Sequence, residues 1–169
     1  MKVTFDIASA SDAPELAQLH RAVAERLTSD FGQGFWSSSP SERAILSDMR
    51  MPKLCRILAG RANGGTIVAV LRLATKKPWS IDTNYFTPVR RPLYLTGMAV
   101  HPDLQRKGIG RVILREAEAH ARQWPADAIR LDAFDAPAGP GRFYLKCGYR
   151  ELAHVVYKQD PLIYYELVL

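Results

Sequence analysis

Apolar and polar residues alternate at the start of the chain, with Val3, Phe5 and Ile7 at every second position, the period of a strand with one buried face. The period then changes. Leu16, Leu19, Val23 and Leu27 recur at three- and four-residue intervals, which predicts a helix; Asp12, with Glu15 three places on, predicts its capping box. The helix is expected to fade into Phe31-Gly-Gln-Gly-Phe-Trp36, an aromatic loop punctuated by glycine. Ser39-Pro-Ser-Glu42 reads as a second capping box with Pro at the first helical position, so a helix is predicted over 41–51 and stopped by Pro52.

The apolar runs 54–59 and 66–74 flank Asn63-Gly64-Gly65 and predict an antiparallel hairpin. Residues 76–92 read as a long loop carrying Trp79, Tyr85 and Phe86, and loops of that length inside a domain are more often functional than idle. A strand is predicted over 93–100. From Gly108 to Trp124 the apolar face Ile109, Val112, Ile113, Ala117, Ala121 and Trp124 opposes Arg111, Arg115, Glu118 and Arg122, the strongest helical pattern in the chain. A strand over 129–134, a short helix from Pro140 ending before Gly148, and strands over 149–157 and 162–168 complete the reading. With no repeat or linker in view, residues 1–169 are expected to form a single α/β domain.

Composition narrows the function classes. A chain 47 % hydrophobic and 24 % charged is globular rather than disordered, and no stretch approaches the 18 or so uncharged apolar residues of a membrane-spanning helix. Asp6 interrupts the start before any apolar leader builds, so the expected location is cytoplasmic. Cys55 and Cys147 stand apart among apolar neighbours and are expected as reduced, packed thiols. The net charge of +6 suggests an anionic ligand. Nucleic acid is not the expected partner, since the chain has no run of five Lys or Arg, no RNP-type aromatic motif and no zinc-finger spacing. His20, His101 and His120 pair with no Cys or carboxylate at ligand spacing, so no metal is expected. A Gly-x-Ser-x-Gly elbow is missing, and Cys147 has no evident His partner, which argues against a serine or thiol nucleophile.

One turn carries chemistry. Gln105-Arg-Lys-Gly-Ile-Gly110 lies directly after a predicted buried strand and directly before the amphipathic helix. Two glycines there expose main-chain N–H groups at the positive end of the helix dipole, and Arg106, Lys107 and Arg111 add full charges, which suits a pyrophosphate; a plain tight turn is the structural alternative. Walker spacing and the third glycine of a dinucleotide fingerprint are both absent.

The run from Leu95 to Leu114 resembles the signature of the GCN5-related N-acetyltransferases, whose Gln/Arg-x-x-Gly-x-Gly/Ala element is matched at Gln105, Gly108 and Gly110. Downstream, Arg142-Phe-Tyr-Leu-Lys-Cys-Gly-Tyr149 is similar to that family's Phe-Tyr-x-x-x-Gly-Phe/Tyr element. The resemblance implies a mixed α/β sheet, splayed at its centre and flanked by helices, with acetyl-CoA as acyl donor and direct transfer to a primary amine of a small molecule or peptide. It implies pantetheine bonded to main-chain groups of Met98, Ala99 and Val100, and a diphosphate held by the turn from Gln105 through Arg106, Lys107, Gly108, Ile109 and Gly110 to Arg111. It also implies oxyanion stabilisation by a backbone N–H near Met98 and protonation of the leaving thiolate by Tyr144, for which packing in a core is the structural alternative.

The chain departs from the pattern twice. Many relatives carry a carboxylate on the first strand of the site, where this sequence has Leu95-Thr-Gly-Met98; no base is evident there, and Asp132, Asp135, Glu25 and Glu166 are the remaining candidates, each read first as a solvated or structural carboxylate and only second as a base. The stretch where relatives often have Asn is Asp135-Ala-Pro-Ala-Gly-Pro140. Trp36, Trp79 and Asp82 are expected to frame the acceptor, with a plug on the sheet edge or a subunit contact as the structural alternative for the aromatic loops. A monomer or homodimer is expected. A non-catalytic acyl-CoA-binding domain is the alternative function.

Overall fold

The alternation at residues 3–7 becomes β1 (Val3–Ile7) and the helical spacing after it α1 (Ala13–Phe31) in a computed structural model that describes residues 1–169. There follow α2 (Glu42–Met49), β2 (Cys55–Ala62), β3 (Ile67–Ala74), β4 (Pro92–Val100), α3 (Ile109–Gln123), β5 (Ala128–Phe134), α4 (Phe143–Lys146), β6 (Arg150–Tyr157) and β7 (Asp160–Val168). The strands form one mixed sheet in the order β1-β2-β3-β4-β5-β7-β6. β4 and β5 pair in parallel over Pro92, Leu93 and Tyr94 against Ala128, Ile129 and Arg130, and the ladder ends there although both strands continue. That early end is the feature expected of a splayed sheet. No helix is long and apolar enough to cross a membrane.

Two compact units share the chain, one of Met1–Leu73 with Thr96–Ala117, the other of Ala74–Leu95 with Glu118–Leu169. In the first, Ala13, Leu16, Ala17 and Leu19 of α1 and Ile45 of α2 are buried with Ile57, Ala59, Ile67, Val70 and Ala99 of the strands, so Leu16 and Leu19 of the stripe read from the sequence pack in this core, with Val23 at its edge and Leu27 outside it. The hairpin turn is tight because Asn63 and Gly64 both take positive φ (49° and 76°), the geometry that matches the twist of the flanking strands.

The caps differ from expectation. Asp12 is the N-cap residue of α1 as expected but makes no capping bond to that helix; a 3₁₀ turn over Ala10–Asp12 precedes it, capped by Ser9, whose amide donates to Asp12 Oδ2 at 2.8 Å. Asp12 also accepts from Arg61 at 2.8 Å, and Glu15 accepts from the Ile67 amide at 2.8 Å, so both carboxylates of the predicted box serve the sheet. For α2 the N-cap is Ser41, whose hydroxyl accepts from the Ala44 amide, and Pro40 lies outside the helix. On α3 the buried positions are Ile109, Ile113, Leu114, Ala117 and Ala121; Val112 is exposed and Leu114 takes the place expected for it.

In the second unit, Ile81, Phe86, Tyr94 and Tyr164 form a core with Leu152, Ala153 and Val155 against it. The segment before β4 is therefore a strap with two buried anchors and one turn of 3₁₀ helix over Thr83–Tyr85. An ion pair fixes it. Arg130 and Glu166, both buried, bond at 3.2 Å; Arg130 also donates to the Thr87 carbonyl at 2.6 Å and to the Tyr94 hydroxyl at 3.3 Å, and the Thr87 amide donates to Glu166 at 3.3 Å. Such a pair contributes specificity of packing when every polar atom is satisfied.

Candidate functional site

The turn at 105–111 is built from main-chain geometry. Arg106 (φ 62°) and Gly108 (φ 84°) take the left-handed region, and a Cβ built on Gly108 would meet no atom within 4 Å, so the face is open. The Leu104 and Gln105 amides return to His101 and Pro102, and the Arg111 and Val112 amides return to Gly108. The amides of residues 106 to 110, lying between those two sets, make no main-chain hydrogen bond of ordinary length. Arg106, Lys107 and Arg111 are exposed beside them. Gln105, matched to the motif by its side chain, uses that side chain internally, donating from Nε2 to the Val100 carbonyl at 3.1 Å and tying the turn to the end of β4. Open N–H groups, a helix N-terminus and three cations together fit a diphosphate.

Upstream, Ala99 is buried and Met98 and Val100 are half-buried, with His101 anchored by its amide to Val68 at 2.8 Å. Gly97 takes φ 58° inside β4, and a Cβ there would lie 3.6 Å from His20 Cε1. This local break interrupts the strand's alternation next to Met98. Burial pushes His20 down to about 4, so its imidazole is neutral at physiological pH. Arg72 holds Asp48 through two bonds of 2.8 and 3.0 Å and reaches Thr96 Oγ1 at 3.3 Å, which fixes the first residue of this stretch.

In the second unit Tyr144 is buried among aromatic rings, with centroids 5.2 Å from Phe143, 5.7 Å from Tyr149 and 5.4 Å from Tyr165. Burial, with smaller contributions from Cys147 and Asp132, raises its phenol far above the usual tyrosine range. It is a neutral hydroxyl, able to donate a proton or a hydrogen bond. Tyr149 is buried with its hydroxyl unpartnered.

The four carboxylates considered as bases fall into distinct settings. Glu166 is consumed by Arg130 and Arg150, Asp135 is exposed and bonds His154 at 3.2 Å, and Glu25 is exposed on α1. Asp132 is half-buried near the end of β5, has no cationic partner, and accepts from the Ser80 hydroxyl of the strap. Burial raises its carboxyl above the ordinary range, and the Ser80 bond draws it partly back. The Ser80 carbonyl in turn accepts from the Tyr164 hydroxyl, which accepts from the Asp82 amide at 3.1 Å.

The three residues expected around the acceptor stand apart in character. Trp36 is turned back on its own loop, its indole N–H donating to the Gly32 carbonyl at 3.0 Å and its ring lying where a Cβ on Gly34 would fall. Trp79 is 84 % exposed. Asp82 caps a turn, accepting from the Asn84 amide at 3.0 Å. Sequence reading missed the Ser80 contact to Asp132, since nothing local to either residue signals a partner 52 positions away.

No curated protein matches this sequence. Among solved structures, the chain is similar to the PaiA N-acetyltransferase of Thermoplasma acidophilum in complex with coenzyme A, at 15 % identity and TM-score 0.75, over 100 % of both chains. It is also similar to YncA of Salmonella typhimurium with acetyl-CoA, at 18 % identity and TM-score 0.73, over 100 % of this chain and 95 % of that one. The ribosomal-protein-alanine N-acetyltransferase of Brucella melitensis gives 16 % identity and TM-score 0.74, over 98 % and 99 %. At these identities the likeness is one of fold. The model of the acetyltransferase (GNAT) family matches residues 20–149, a span that holds both the 105–110 turn and Tyr144, and the chain therefore belongs to the GNAT acetyltransferase family.

Proposed function

We propose that the protein is an acetyl-CoA-dependent N-acetyltransferase that moves the acetyl group directly to a primary amine of a small molecule or peptide. The observation that carries this reading is the row of open amides at residues 106 to 110 beside three exposed cations. Coenzyme A and acetyl-CoA in the PaiA and YncA structures support it.

Acetyl-CoA supplies an activated thioester when bound. The chain's own residues do the rest. The amides from Arg106 to Gly110 hold the diphosphate with Arg106, Lys107 and Arg111 as counter-charges, while Gln105 keeps the turn fixed to β4. Main-chain groups of Met98, Ala99 and Val100 align the pantetheine, and a backbone N–H near Met98 stabilises negative charge on the thioester oxygen without having to reorganise. Tyr144, kept neutral by burial, donates its proton to the leaving sulfur. On the acceptor side we assign exposed Trp79 and neighbouring Asp82 to the incoming amine and its carrier; Trp36, bonded to its own loop, shapes that loop.

Release of free thiol from acetyl-CoA, measured against a broad panel of primary amines and peptides, tests the reading. Amine-dependent release is expected; tight CoA binding with no release for any amine would instead assign the chain to non-catalytic acyl-CoA binding.

A further inference from the structure

We propose that Asp132 takes the proton from the incoming ammonium group, with Ser80 as the positioning residue that holds its carboxylate for that step. The inference rests on the N-acetyltransferase reading, with Tyr144 as the proton donor to sulfur.

The β5·β7 register sets the two groups on opposite faces. Leu131 stands opposite Tyr165, and Asp132 opposite Tyr164. Successive side chains of a strand point to opposite faces, so the Leu131 and Tyr165 pair lies on one face and the Asp132 and Tyr164 pair on the other. Tyr144 packs its ring on Tyr165, whereas Phe86 packs on Tyr164 at 5.1 Å. Tyr144 and Asp132 thus border the same stretch of β5 from its two sides. Acyl transfer needs one group to take a proton from the amine and another to give one to the sulfur.

Two further observations single out Asp132. It lies two residues beyond Arg130, the last residue of β5 paired to β4, at a place where the ladder no longer needs the strand. It is also the one carboxylate of the four whose bond is to a hydroxyl. Ser80 has its main chain pinned by the Tyr164 hydroxyl, which leaves its own Oγ free to turn when an ammonium takes its place. The titratable group on the same face as Asp132 is the phenol of Tyr164, Tyr144 lies across the strand, and Asp132 has no ion-pair partner, so the raised carboxyl is a stronger proton acceptor than an exposed aspartate.

The step balances. An N–H proton passes from R–NH₃⁺ to the Asp132 carboxylate, leaving R–NH₂; the nitrogen lone pair forms the C–N bond as the C–S bond breaks with its electron pair on sulfur. Tyr144 protonates that sulfur and recovers a proton from the acylated nitrogen, and Asp132 returns its proton to water.

Purified full-length wild type, Asp132→Asn and Ser80→Ala are compared in a pH series with acetyl-CoA and the best acceptor of the amine panel, alongside CoA calorimetry. Asp132→Asn should lose roughly 10²- to 10³-fold in kcat/KM at neutral pH with CoA affinity held, and recover much of it at pH values where the amine is already free. Ser80→Ala removes a bond that favours the carboxylate, so the acidic limb of its profile should move to higher pH. Wild-type turnover in folded Asp132→Asn, or a loss equal at every pH, overturns the proposal. Should Asp132→Asn fail to fold, an unmoved acidic limb in Ser80→Ala overturns it. Full turnover in Tyr144→Phe together with loss in Asp132→Asn would instead break the Tyr144 assignment, and absence of thiol release from wild type with every amine would remove the transferase reading and this inference with it.

Discussion

The turn at residues 105–111 and the surroundings of Tyr144 and Asp132 are built by opposite physical means. The turn is exposed and uses backbone: its working groups are amides, two residues in the left-handed region and a glycine with open space where a Cβ would stand. Around Tyr144 the groups are side chains, buried or half-buried, whose proton affinities are moved by burial first and by neighbours both local, as Cys147, and distant in sequence, as Ser80 for Asp132. The proposal gives affinity for a highly charged donor to the exposed turn, and proton movement to the buried and half-buried side chains. A change in the first should alter binding and leave chemistry; a change in the second should do the reverse.

The largest effect expected is on turnover. Tyr144→Phe keeps the ring packing against Tyr165 and deletes only the hydroxyl, so kcat should fall by on the order of 10² to 10⁴ while CoA affinity holds. Steady-state kinetics paired with calorimetry reads both, and wild-type kcat would assign Tyr144 to packing. Next comes Glu166→Gln, which leaves Arg130 charged and buried; unfolding in urea should show a loss of about 3 to 5 kcal/mol, with the strap around Thr87 released first in hydrogen exchange. A loss below about 1 kcal/mol would show that the strap is held by Ile81 and Phe86 alone.

A smaller effect belongs to His20, whose folded value of about 4 lies below the unfolded 6.5. A depressed histidine adds nothing above pH 6.5, where both states are neutral; below it the unfolded chain binds the proton first, and stability drops until the pH reaches about 4. The drop should approach roughly 3 kcal/mol across that window and shrink in His20→Leu, as chemical denaturation at pH 7, 5.5 and 4.5 would read. An equal acid loss in both proteins would place the sensitivity elsewhere.

What the sequence made legible follows the same division. The 105–110 turn, the Asn63-Gly64 hairpin and the α1 stripe are local patterns, each set by backbone preference or by a short period, and each stands where the spacing puts it. Contacts across long separations were not legible. Asp12 stands at the N-cap of α1 as its position predicts, yet its carboxylate bonds Arg61 rather than that helix, and Glu15 bonds the Ile67 amide. Trp36 reads as a pocket wall, yet its N–H finds the Gly32 carbonyl four residues back, which sequence alone does not choose over a ligand. Arg130 with Glu166 and Ser80 with Asp132 join positions 36 and 52 residues apart, and no period or cap announces such pairs.

Calorimetric titration of CoA into wild type and Gly108→Asp tests most directly whether the open amides at 106 to 110 bind the diphosphate of the donor. The substitution forces a side chain into φ 84° and sets a carboxylate beside those amides, so CoA affinity should fall by about tenfold or more, some 1.4 kcal/mol per decade, in a variant whose circular dichroism is unchanged. Unaltered CoA affinity in folded Gly108→Asp would contradict that binding.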